Sequence, residues 1–388
     1  MMSIGGMALV AAVLTGCSSP SGTASGSSAG AAAGSIPLAA SFASPTGTWA
    51  TLAMGHLDDP LNTFWELLHL PADSPLWALA TPPGVASNGG LVAAVAPSGA
   101  LTAGFGTSLL LRFSPLAQST DQGATWTAGV LPGGLAPVPD ALATSSVARN
   151  AALLGAGGRE VVSSGGDLSS WHSIARTGVL GAGSSAAACG IEALTAVAVR
   201  ADGDVLAGAA CVHGGAAGVY RFTDGTWHSV GPSLPGSVGG PARVVRLLAT
   251  PSGATALISA GTGGSGELVA ATSSDGLVSW SVSPPLPTAG RTLVSTGVTP
   301  AGGLIAVTED AHGDRSASVI DPSVAGWQTL APLPAGTTVV AAGPTGGFDA
   351  LIVSQSTLGV DTLASGRWQR SQTLDVPIVY GSSGGSSG

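Results

Sequence analysis

Lysine is absent from the chain. All 12 basic residues are arginine, set against 21 acidic ones, and the formal charge is -9. A nucleic-acid partner needs a basic groove or stripe to neutralise phosphates. Here the arginines are scattered singly, apart from the near pairs Arg243/Arg246 and Arg367/Arg370, so nucleic acid is excluded. Charged residues are scarce at 9% and the mean hydropathy is +0.44, values that would fit a membrane protein if a long apolar stretch accompanied them. Beyond the N-terminus none does. The apolar residues fall in short Ala/Val/Leu runs broken by Gly, Pro and Ser, as expected of small sheets covered on both faces. No G-x-S-x-G stands in a strand-to-helix context and no glycine-rich stretch carries the lysine of a phosphate loop. CxxC and Cys/His zinc spacings are missing, and the six His show no close ligand pair, so neither metal nor cofactor is expected.

What the chain does have begins with a short apolar run, Ile4 to Leu14, too short to span a bilayer as an ordinary helix. Leu14, Thr15, Gly16 and Cys17 follow, and they resemble the bacterial lipobox, in which small residues precede a cysteine that is lipidated and becomes the mature N-terminus. The resemblance implies a signal peptide over 1–17, a lipid anchor on Cys17, and a location at the cell membrane facing the extracytoplasmic side. No Lys or Arg precedes the apolar run, a departure from the usual signal. Residues 18–40 are almost entirely Ser, Gly, Ala, Thr and Pro and read as a flexible tether; 381–388 form a second Gly/Ser tail. With Cys17 assigned to lipid, Cys189 and Cys211 remain, an even number in an oxidising compartment, and a disulfide between them is expected.

Tryptophan recurs through the rest at Trp126, Trp171, Trp227, Trp280, Trp327 and Trp368, in steps of 45, 56, 53, 47 and 41 residues. Strand-rich repeats of about 40 to 50 residues are typically propeller blades. A second series supports the first without using tryptophan. Turn signals at Pro97-Ser98-Gly99, Arg149-Asn150, Asp202-Gly203, Pro251-Ser252-Gly253, Pro300-Ala301-Gly302 and Pro344-Thr345-Gly346 separate short apolar runs, the expected inner hairpin of each blade. The Trp-led outer strand commonly runs into Leu-Pro, which ends it. The fold class predicted is all-β, a propeller over 41–380 with seven blades favoured and six as the alternative. Pieces around Trp49, Trp65 and Trp77 plus Val376 to Tyr380 supply the seventh blade, so the ring is closed by N- and C-terminal strands.

The run from Ser119 through Asp121, Gly123 and Thr125 to Trp126 resembles the Asp-box (BNR) pattern S-x-D-x-G-x-T-W of sialidase-type propellers. Ser273, Asp275 and Trp280 form a near match; Asp167/Trp171 and Asp224/Trp227 are degenerate. The resemblance implies that the Asp caps backbone N–H groups at the turn between third and fourth strands while the Trp packs between blades. It implies nothing about chemistry. A sialidase would need three arginines on the substrate carboxylate, a tyrosine nucleophile paired with Glu, and an Asp acid/base. Only Tyr220 and Tyr380 are available, Tyr220 in an apparent third strand away from the central funnel.

One segment departs from the repeat. Between Gly55 and Glu66 it gathers His56, Asp58, Asp59, Asn62, Phe64 and Trp65, a combination suited to a sugar or a protein hot spot. Ring closure, with Phe64 and Trp65 buried, is the competing account. The reading is a lipid-anchored, monomeric binding or scaffolding module for an envelope protein or glycan. The alternatives are a glycan-active hydrolase or lyase with carboxylates at the funnel, and an assembly factor for a membrane complex.

Overall fold

The structure, a computed structural model, describes residues 38–57, 63–82, 90–96, 98–105, 116–129, 140–145, 149–154, 159–165, 168–181, 189–236, 238–261, 266–322, 324 and 326–377. Consecutive antiparallel pairing divides its strands into seven groups, each antiparallel within itself. The first holds β1 (Ala39–Ser44), β2 (Gly47–Gly55), β3 (Thr63–Pro71) and β4 (Ala78–Leu79). The second holds β5 (Leu91–Val95), β6 (Leu101–Phe105), β7 (Leu116–Ser119) and β8 (Thr127–Gly129). The third comprises β9 (Ala141–Thr144), β10 (Asn150–Leu154), β11 (Glu160–Ser164) and β12 (Trp171–Arg176). A five-residue helix, α1 (Thr177–Gly181), leads out of it. The fourth has β13 (Ile191–Val199), β14 (Val205–Cys211), β15 (Val219–Thr223) and β16 (Thr226–Ser229). In the fifth, β17 (Ala242–Ala249), β18 (Ala254–Ala260) and β19 (Glu267–Ser273) are followed by an outer strand split into β20 (Ser281–Val282) and β21 (Leu286–Pro287). The sixth contains β22 (Arg291–Val298), β23 (Leu304–Asp310), β24 (Arg315–Ile320) and β25 (Gln328–Thr329). The seventh contains β26 (Thr337–Ala342), β27 (Phe348–Ser354), β28 (Thr357–Ala364) and β29 (Arg367–Asp375). The architecture is a β-propeller.

Each turn signal named in the sequence joins the first strand of a group to the second. Four of the five glycines in these turns carry the positive φ that a tight hairpin demands, Gly99 at 87°, Gly203 at 91°, Gly302 at 79° and Gly346 at 86°. The first strands of the last four groups also share a device. Each has at least one register irregularity that sets a residue out of the ladder: Glu192 and Thr195 in β13, Val245 in β17, Val294 in β22 and Thr338 in β26. Such bulges bend a strand and sharpen its twist. Small residues let the inner strands approach. A Cβ on Gly297 would sit 2.4 Å from Ser41 Oγ, and β1 pairs with β22 in parallel over Ala39↔Ser295 and Ala40↔Thr296.

The apolar clusters lie between groups, as two-sided burial requires. One sets Leu67, Trp49 and Trp65 against Leu91, Leu101 and Phe105, joining first group to second. Another sets Leu52, Met54 and Leu68 against Val339, Leu351 and Leu358, joining first group to seventh. Closure therefore differs from the expected one. The first group supplies all four of its own strands, and Val376 and Pro377 are not strand; 378–380 lie outside the described residues. Side chains bridge the join instead. Trp77 Nε1 donates to Asp349 Oδ2 at 2.9 Å, Gln372 accepts from Trp77 N and donates to Trp77 O at 2.8 Å each, Ser41 Oγ reaches Val340 O and Thr48 Oγ1 reaches Ala342 O. The first strand also starts at Ala39, two residues inside the span read as tether.

Trp77→Phe keeps most of the buried bulk but removes a donor from a largely buried carboxylate. It is expected to cost about 2 to 3 kcal/mol in urea unfolding, the range for a hydrogen bond to a charged group. Trp327→Phe is the reference, because Trp327 Nε1 has no partner to lose among the described residues. Equal losses in the two variants would show that the Asp349 bond contributes nothing to closure.

Candidate functional site

The segment singled out in the sequence is split by the sheet it belongs to. Successive residues of a strand face opposite sides, so Trp65 and Leu67 point into the cluster shared with the second group while Glu66 and Leu68 point to the seventh. Trp65 is 7% exposed and packs in the core; it is not presented to a ligand. His56 lies exposed at the surface, its carbonyl accepting Thr63 Oγ1 at 2.8 Å. Asp58, Asp59 and Asn62 lie outside the described residues.

Glu66 is the unexpected member. It is 8% exposed, and Thr81 Oγ1 donates to its Oε2 at 2.5 Å. Burial pushes its pKa up to about 7, the Thr81 bond opposing the rise. A carboxyl near neutrality suits a general acid, but enclosure at the join between first and seventh groups keeps this one from a bound sugar. Nearby, His69 stacks on Trp49 with ring centroids 3.8 Å apart, and burial draws its pKa down, against the Thr46 carbonyl and Asp73.

The two best turn motifs share one geometry. Ser119 Oγ donates to Asp121 Oδ1 and accepts from Gly123 N, while Asp121 accepts from Thr125 N at 2.8 Å and Thr125 Oγ1 at 2.5 Å. Ser273, Asp275 and Ser279 repeat the arrangement. The hydroxyl and N–H donors, led by Thr125 and Ser279, hold both carboxyls down at about 2. Asp224 does otherwise: with Gly225 it has φ of 50° and 78°, the double positive of a type I′ hairpin. Asp167 lies outside the described residues. Cys189 and Cys211 are joined by a disulfide across the start of β13 and the end of β14, with Gly218 against both sulfurs.

A surface site absent from the sequence reading lies between the sixth and seventh groups. Pro332, Leu333 and Pro334, leaving β25, face Asp361, Arg367 and Trp368 across a groove of about 400 Å³. Trp368 Nε1 donates to Ala331 O at 3.2 Å, fixing the ring edge-on to the proline segment. Asp361 is paired with Arg370, whereas Arg367 is exposed and has no ion-pair partner among the described residues. Ser365 and Gly366, with φ of 51° and 77°, make the tight turn that projects it. Prolines and an aromatic edge beside a free guanidinium and a carboxylate give the mixed apolar and polar lining of a recognition site. The arginine pair and the Leu-Pro signal were both visible in the sequence, but nothing local joins residues 332 and 367.

Glu66 makes stability depend on pH. Its folded pKa is raised above 4.5, so its contribution is complete below pH 4.5 and is lost as pH rises through about 7, on the order of 3 kcal/mol in all. His69, shifted down, acts in the opposite sense below 6.5, and Asp121 and Asp275 act only between 3.8 and about 2. Comparison of Glu66→Gln with the parent isolates the one term. The variant should gain on the parent between urea unfolding at pH 5 and at pH 8; an unchanged difference would mean that Glu66 titrates normally.

No protein-family model matches the chain and no curated protein matches it. Solved structures do. A candidate 6-phosphogluconolactonase from Bacteroides uniformis superposes with a TM-score of 0.53 at 12% identity, over 85% of this chain and 97% of that one. A second, from Bacteroides fragilis, gives 0.53 at 11% identity over 86% and 96%. The fucose-recognising lectin of Aleuria aurantia, a six-bladed β-propeller, gives 0.44 at 14% over 77% and 95%. At 11 to 12% identity, the two lactonase candidates share the fold with this chain, and the likeness extends to nothing more.

Proposed function

We propose that this chain is a seven-bladed propeller held outside the cytoplasm by a lipid on Cys17, acting as a binding or scaffolding module for a protein or glycan of the cell envelope. The groove beside Trp368 carries the reading. It offers a fixed aromatic edge and proline surface for apolar contact, and Arg367 for a directional polar one. The Cys189–Cys211 bond supports an oxidising compartment, and the lipobox supports the anchor.

Two variants test the halves separately. Cys17→Ser should move the protein from the membrane to the soluble fraction; retention in the membrane overturns the anchor. Affinity capture of the anchored parent from its native membrane should recover one stoichiometric envelope component. Arg367→Glu, at an exposed position, should lose that component with melting unchanged. Recovery of nothing by the parent, or of the same component by Arg367→Glu, sinks the groove as the binding surface.

A further inference from the structure

The other arginine pair, Arg243/Arg246, lies in a different seam, and strand register says which. Arg243 pairs with Ser259 and Arg246 with Leu257, two residues apart on β18 and so on one face. That face packs on the sixth group, because Leu257 clusters with Leu304 and Ala306 of β23 and with Leu293 of β22. The bulge at Val245 keeps Arg246 on this side. Its Nη1 donates across the seam to Thr296 Oγ1 at 3.2 Å. On the opposite wall Arg291 pairs with Asp310 and Thr296 with Ala306, so both belong to the face that meets β17.

Three of the 12 arginines thus share one seam of a chain with net charge -9. Asp310 does not balance them. Arg291 uses it at 3.2 Å, with further bonds to Thr308 Oγ1, Thr308 O and Asp314 O, and the other oxygen of Asp310 accepts His312 N and Asp314 N. Among the described residues no carboxylate pairs with Arg243 or Arg246. Arg243 is exposed near the start of β17, and Arg246 lies deeper, retaining some accessible surface while protein surrounds it. Burial pushes the Arg246 guanidinium down to about 10, with no opposing charge to hold it up. A half-buried guanidinium without a carboxylate is costly, and an apolar side chain of similar length would fill the space without that cost. Most of its N–H donors have no partner among the described residues.

We propose that the seam between the fifth and sixth groups binds an oxyanion, a carboxylate or phosphate group, with Arg246 as the inner clamp and Arg243 at the mouth. Thr296 Oγ1, already accepting from Arg246, has its own hydrogen free to donate to the bound group. The site is separate from the groove beside Trp368 and does not depend on that groove's role.

The test uses the full chain at pH 7.5, titrated with sodium phosphate and with sodium malonate, each against sodium chloride at equal ionic strength. At least one of the two oxyanions should raise the melting temperature saturably beyond chloride, and which one does so identifies the class. Calorimetric affinity for it should fall about tenfold or more in Arg243→Gln, the loss of one charge-assisted contact, and binding should vanish in Arg246→Met. Arg243 is exposed, so its variant stays informative if Arg246→Met fails to fold. A rise no greater than that with chloride, or the same affinity in Arg243→Gln as in the parent, overturns the proposal.

Discussion

The outer-strand tryptophan N–H, reaching back to the preceding group at four of the seven seams, is the directed interaction that most orders the small sheets into a ring. Trp227 donates to Ile174 O at 2.7 Å, Trp280 to Val230 O at 2.6 Å and Trp368 to Ala331 O at 3.2 Å, each one group back along the chain. Trp77 does the same across the join, its preceding group being the last, and finds Asp349. A bulky apolar ring alone would fix the spacing between sheets. The directed N–H also fixes their stagger, because a buried indole donor left without an acceptor is penalised. Trp126 and Trp171 spend their donors within their own turns, on Gly123 O and Leu168 O, and Trp327 Nε1 finds no acceptor among the described residues. In the second group the stagger is set by close contact instead: a Cβ on Gly123 would meet Ala80 at 3.2 Å, so the turn rests directly on the first group's exit.

This explains which parts of the fold the sequence displayed. The hairpin turns were legible because positive φ and fixed proline φ restrict residue choice locally. The tryptophan series was legible because one packing position recurs. Its first member was there to be read: Trp77 stands 49 residues before Trp126, inside the range of the other steps. Its strand is short, β4 being only Ala78 and Leu79, although the apolar run from Leu76 to Ala80 marks the place. The strand of the first group that does not stand out in the sequence is β1, because Ala39 and Ala40 continue the small-residue composition of the span before them, and a C-terminal strand is expected in its place. The binding surfaces were illegible for a different reason. The clustering of His, acids and aromatics between Gly55 and Glu66 is a property of the chain, whereas facing is a property of the strand, and the two-residue alternation sends Trp65 and Glu66 into opposite interfaces.

Charge is used sparingly and mostly to brace hairpins. Arg200 meets Asp202, Arg221 meets Asp204 at 2.5 Å, Arg315 meets Glu309, and Arg370 meets Asp361. Arg315 and Glu309 sit on neighbouring strands of one group, as do Arg370 and Asp361, so these pairs reinforce local registers. Most are partly exposed, and ion pairs of that kind contribute little individually. Their value lies in neutralising charge along strands whose faces must be covered.

Against that background the unpaired arginines carry information, and they differ among themselves. Arg367 is exposed at a turn, where solvation makes an unpaired charge inexpensive, so its position beside Trp368 matters more than its lack of a partner. Arg246 is half-buried in the seam, and there the missing counter-charge is the more costly feature. An acidic chain has many carboxylates that could have been placed opposite it at the cost of one substitution on β22 or β23. Instead the facing positions hold Thr296 and Thr308, hydroxyls that can complete a hydrogen-bond network around an incoming group without cancelling the charge. A bulge that holds both arginines on one wall, and a facing wall on which Asp310 is already committed, together leave a positive seam among the described residues of a negative protein.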